Sequence, residues 1–91
     1  METYTIDDSR DYNFEDAEKS AQKFAGQKLG KDPMLWSWYD DNTGLHSPAD
    51  LCGDNTRDLI ERYAEQRGGK IRVLVAKKRY EFCFGSSDLE T

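Results

Sequence analysis

His46, Asp50 and Cys52 fall within residues 46–52, in a stretch with no regular hydrophobic period. A thiol becomes a nucleophile only as the thiolate, and a neighbouring imidazole with a carboxylate can supply the base and the field this requires. Cys52 with His46 and Asp50 is therefore the candidate catalytic set, and a thiol-based carrier or small enzyme is the function it would serve. The three are close only in sequence, and no cysteine-enzyme signature surrounds them. A structural cysteine beside a loop-capping histidine is the simpler reading. Zinc spacing is absent: the chain has 1 His and 2 Cys, with no Cys-x-x-Cys pair. Asp40-Asp41-Asn42-Thr43-Gly44 is like part of a calcium loop, but its glycine comes one place early and Leu51 stands where the closing Glu belongs. It reads as a turn. Gly68-Gly69 precedes a strand rather than opening a helix, so it is no phosphate loop. No metal and no cofactor is expected.

Charge bears on partners. The net charge of -5 argues against general nucleic-acid binding. The distribution is uneven: Glu2, Asp7, Asp8, Asp11, Glu15, Asp16 and Glu18 face only Arg10 in the first eighteen positions, whereas residues 70–79 hold Lys70, Arg72, Lys77, Lys78 and Arg79 and no acid. The basic segment admits an RNA-contacting module as an alternative, with an affinity that collapses as salt rises. Attraction between the two ends, which helps set the topology, is the simpler explanation. Trp36, Trp38 and Tyr39 could stack bases, although aromatics on a strand of so small a domain belong more often to the core. No apolar run reaches the length of a membrane span, and the first residues lack the basic and apolar parts of a signal peptide. Cys52 and Cys83 without a secretion signal fit the reducing cytoplasm, unbridged, with Cys52 the more reactive of the two.

The elements that would position these residues follow from hydrophobic period. Ile71, Val73 and Val75 alternate with Arg72, Leu74 and Ala76, and Tyr80, Phe82 and Phe84 alternate with Glu81 and Cys83, which predicts a β-hairpin turning over Lys77-Lys78-Arg79. A single bent or bulged strand is the alternative, because the turn lacks an Asn-Gly or Asp-Gly signal. Asn13 predicts a helix N-cap. Phe14, Ala17, Ala21, Phe24 and Leu29 carry that helix's apolar stripe, and Gly30 and Pro33 end it. Gly26 weakens its last turn. Residues 34–39 read as a strand with Met34, Trp36 and Trp38 on one face and Leu35, Ser37 and Tyr39 on the other. Ser47-Pro48-Ala49-Asp50 reads as one helical turn. A second helix over Thr56–Arg67 is capped by Asn55. Tyr4 and Ile6 predict a short first strand within residues 1–12, either an edge strand or a flexible tail; residues 85–91 are expected to be a tail.

A chain of 91 residues with this pattern makes one α+β domain of order β-α-β-α-β-β. Its expected form is a two-layer sandwich, with both helices on one face of a small mixed sheet. The other face would carry Leu35, Tyr39, Arg72, Leu74 and Cys83, the candidate binding residues. This predicts a non-enzymatic cytoplasmic protein-interaction domain that uses an open sheet face or edge to meet itself or another protein. The element order resembles the sulfur-carrier (TusA-like) proteins and the C-terminal domain of bacterial initiation factor three. The carriers' Cys-Pro pair is missing where Asn13-Phe14-Glu15-Asp16 stands. Trp38-Tyr39-Asp40-Asp41, Ser47-Pro48, Cys52 and Tyr80-Glu81-Phe82 are similar to a family of small uncharacterised prokaryotic domains, a resemblance that implies no activity.

Overall fold

The alternating run from Ile71 to Phe84 folds back on itself as the predicted hairpin, and the other elements lie beside and across it. The computed structural model describes residues 1–7, 10–30, 32–51 and 56–86. Its elements are β1 (Glu2–Ile6), α1 (Phe14–Leu29), β2 (Pro33–Asp40), β3 (His46–Ser47), α2 (Thr56–Gln66), β4 (Gly69–Val75) and β5 (Tyr80–Ser86). The strands form one five-stranded mixed sheet in the order β1-β4-β5-β2-β3. Only β1 and β4 pair in parallel. The class is α+β, as the hydrophobic periods imply.

The local signals act as chemistry requires. The Asn13 side chain accepts the Asp16 N–H at 2.7 Å, which satisfies one of the open donors at the start of α1. Gly30 takes φ 72° and donates to the Gly26 carbonyl, so the helix runs past Gly26 to Leu29. Ala17, Ala21 and Ala25 have no exposed surface and let α1 lie close to Val73, Phe82 and Phe84. Phe14 fills the end of that layer, 4.5 Å from the Trp38 ring and 5.6 Å from that of Phe82.

The hairpin turn is built without glycine. Ala76, Lys77 and Lys78 all have φ between 56° and 71°, a conformation that costs a residue with a Cβ roughly 1–2 kcal/mol. Neighbours hold it: Asp7 accepts the Lys77 N–H at 2.9 Å, and Arg57 donates to the Lys78 carbonyl.

Three expectations change. First, the helices lie on opposite faces of the sheet. α1 packs on Ile71, Val73, Val75, Phe82 and Phe84. α2 packs on the face of Ser37, Arg72 and Glu81: Ser37 Oγ donates to the Ile60 carbonyl at 2.8 Å, and Arg57 and Glu61 pair with Glu81 and Arg72. Strand order explains this. The chain moves across the sheet from β1 to β2 and returns from β2 to β4, and these three strands are mutually parallel. Right-handed crossovers in opposite directions place their helices on opposite faces. Second, the register shifts between Leu35 and Ser37, so Leu35 pairs with Phe84 and joins the α1 face, and Trp36 no longer alternates with Trp38. Third, Ser47 does not begin a helical turn. His46 and Ser47 pair with Tyr39 and Trp38, a cis Ser47-Pro48 bond follows, and Leu51 closes a turn onto the Pro48 carbonyl. The proposed cap Asn55 lies outside the described residues.

Candidate functional site

Two features combine charge with unusual surroundings: a charged layer beneath α2 with a buried glutamate at its centre, and a groove along β1. The first centres on Glu81 in β5. Its side chain is 1% exposed. Arg57 Nε donates to Oε1 at 2.7 Å, and Arg72 Nη1 stands 3.5 Å from Oε2 while pairing with Glu61. As a carboxylate, Oε2 meets no hydrogen-bond donor. As a carboxylic acid, Glu81 can share its proton with Glu61. Burial pushes the Glu81 pKa up to about 7; Glu61 acts in the same direction, and Arg72 and Arg57 oppose it. Two arginines and two glutamates thus tie α2 to the sheet, with Glu81 sealed from solvent and Arg57, Arg72 and Glu61 partly exposed.

Cys83 lies in the same layer with no exposed surface. Burial first, and the Glu81 charge second, push its thiol up to about 12. Such a thiol is protonated and inert near neutral pH. Native protein is expected to leave Cys83 unmodified by iodoacetamide over hours, with modification appearing on unfolding. Mass mapping checks this, and rapid native labelling of Cys83 would contradict its burial.

The expected binding residues are distributed differently from the sequence reading. Leu74 and Cys83 are buried on the α2 face, Arg72 is bonded to Glu61, and Tyr39 lies beneath the Arg57 guanidinium at 5.2 Å. Leu35 faces α1. The face expected to be open is covered because α2 crosses it. Of the candidate catalytic set, His46 is half-buried, stacks on Tyr39 at 6.5 Å, and has Nδ1 3.0 Å from the Pro48 carbonyl. Donation there leaves Nε2 as the acceptor. Asp50 is exposed, and among the described residues no bond joins it to His46. Cys52 lies outside the described residues. Among the described residues no three His, Cys, Asp or Glu side chains gather as a metal site, and no helix is long and apolar enough to cross a membrane.

The second feature lies at the sheet edge. Among the described residues, β1 has a neighbour on one side only. Ile6 turns its carbonyl inward to the Ala76 N–H at 3.2 Å. Alternation along a parallel strand then directs Glu2, Tyr4 and Ile6 towards β4, and the N–H and C=O of Thr3 and Thr5 outward. Beside this edge, on the α1 face, run two cavities. One, of about 560 Å3, lies among Met1, Tyr4, Lys28, Leu29 and Lys70. The other, of about 380 Å3, lies among Ile6, Arg10, Tyr12, Lys23 and Phe24. Tyr4 lines the first and Phe24 the second, and their ring centroids are 5.2 Å apart. The Lys28 ammonium stands 5.0 Å from the Tyr4 ring and 5.5 Å from the Phe24 ring. Sequence reasoning identified the strand but missed the groove, whose walls come from α1 and β1.

The chain belongs to a domain family of unknown function, DUF5619, which it matches over residues 1–84. It is similar to the crystal structure of a novel protein from Archeoglobus fulgidus DSM 4304, with a TM-score of 0.76 and 25% identity over 99% of each chain. No curated protein matches it. The family and the neighbour agree with the resemblance to small uncharacterised prokaryotic domains.

Proposed function

We propose that this domain works by association and receives an extended segment of a partner protein along the outer edge of β1. The observation that carries the reading is the outward row of backbone groups at Thr3 and Thr5 on a strand with no outer neighbour among the described residues. An added strand would satisfy those groups, while its alternate side chains entered the groove beside α1. With both sheet faces bearing a helix, the edges are left for a partner, and of the two β1 offers five residues and β3 only two. The buried free thiol of Cys83 suits a reducing compartment, and we place the domain in the cytoplasm.

Thr5→Pro tests the reading. Proline removes an N–H that points away from β4 and is tolerated on an edge strand. Peptides selected from a random display library against the wild-type domain are expected to lose at least about tenfold in affinity for Thr5→Pro, while its melting temperature stays within a few degrees of wild type. Selected peptides that bind Thr5→Pro as well as wild type would reject the edge. Sedimentation over a concentration range covers the remaining possibility: dimerisation abolished by Thr5→Pro would make the partner a second copy.

A further inference from the structure

The charge of the groove identifies the kind of segment it fits. The protein carries a net charge of -5, yet among the described residues the two cavities are lined by Lys23, Lys28, Lys70 and Arg10, the last stacked on Tyr12, against one carboxylate, that of Glu2. Glu2 is engaged by the Tyr4 hydroxyl, which donates to it at 2.5 Å. Lys28 and Lys70 line the larger cavity and Arg10 and Lys23 the smaller, and the Lys28 ammonium stands over both the Tyr4 and Phe24 rings. The five residues of β1 span roughly 17 Å, and side chains on one face of an added strand recur about every 7 Å.

We infer that the groove recognises an extended acidic peptide whose alternate side chains face these cations. This deepens the edge reading and rests on it. Acidic side chains of the added strand meet Lys28 at one cavity and Lys23 at the other. Charge also argues against a second copy as the occupant. Edge-to-edge pairing about a twofold axis would bring two basic grooves together, and like charges so placed repel. A polyanion such as RNA would satisfy the cations but leave the Thr3 and Thr5 backbone groups without strand partners.

The test uses two fluorescein-labelled peptides, one centred on Glu-Thr-Phe-Thr-Glu and the other on Lys-Thr-Phe-Thr-Lys, with binding read by anisotropy. The acidic probe is expected to bind at least about tenfold tighter at low salt, with the difference shrinking as salt screens it. The exposed pair Lys23→Glu and Lys28→Glu should reverse the preference, and Thr5→Pro should weaken both probes. Equal binding of the two probes, with both weakened by Thr5→Pro, would overturn the charge inference and leave the edge reading standing. Binding of neither probe, or binding indifferent to Thr5→Pro, would overturn both. A uridine oligonucleotide that displaces the acidic probe and binds wild type and Thr5→Pro alike would assign the cations to nucleic acid and overturn the peptide inference.

Discussion

Replacing Glu81 with Gln is expected to flatten the dependence of stability on pH between about pH 5 and 8. The carboxyl has an ordinary value of 4.5 and is pushed up to about 7 in the fold, first by burial and then by Glu61. The native state therefore holds the proton more tightly than the unfolded chain. Its stabilising contribution is complete below about pH 4.5 and is lost as pH rises through about 7, so wild-type stability falls across that window by on the order of 2–3 kcal/mol. Glutamine keeps an acceptor for Arg57 and a donor for Glu61 at every pH. The Gln variant should match wild type in acid and exceed it at pH 8. Urea titrations at several pH values measure the slope, and equal slopes for the two proteins would assign the titration to another group. Glu81→Ala should cost about 1–3 kcal/mol instead, because it removes the buried acceptor of the Arg57 guanidinium and leaves a void beneath α2.

Gly85→Ala is the second substitution with a large expected cost. A Cβ at this buried position would stand 2.3 Å from Trp36 Nε1 and 3.0 Å from the Gly68 carbonyl oxygen. The Trp36 ring occupies the space a side chain would take, and its Nε1 is itself buried without a hydrogen-bond partner. Moving the indole is the obvious relief, but the backbone oxygen behind it does not yield easily. Overpacking of this kind costs about 1–3 kcal/mol. In a Trp36→Val background the same substitution should cost about 1 kcal/mol less, a coupling that a double-mutant cycle in urea reads directly. An undiminished cost would place the obstruction in the backbone rather than in the indole.

Much of this fold is legible in local chemistry. The alternation of Val73 and Val75, and of Phe82 and Phe84, marks the strands and their buried face; Asn13 and Gly30 mark the ends of α1. The same alternation sets Arg72, Leu74, Glu81 and Cys83 together on the opposite face. Whether that face is open is not a local property. It depends on β1 pairing with β4 and β2 with β5, because those non-local pairings set the directions of the two crossovers. The shift at Trp36 is hidden for a similar reason: Met34, Trp36 and Trp38 alternate perfectly in sequence, and only the partner strand reveals the extra residue. His46 and Ser47 are too few to show a strand period. The groove was invisible because Lys23, Lys28, Arg10 and Lys70 are far apart in the chain and converge only when α1 lies beside β1.

Docking at β1 is tested most directly by amide exchange and chemical-shift mapping of the domain with and without a selected peptide. Strand addition predicts that the Thr3 and Thr5 amides gain protection, whereas Tyr4 and Ile6, which face β4, change little. Lys23, Phe24 and Lys28 should shift along with them as the groove fills. Perturbations centred on α2 or on the Lys77-Lys78-Arg79 turn, with Thr3 and Thr5 exchanging as freely as before, would contradict association through this edge.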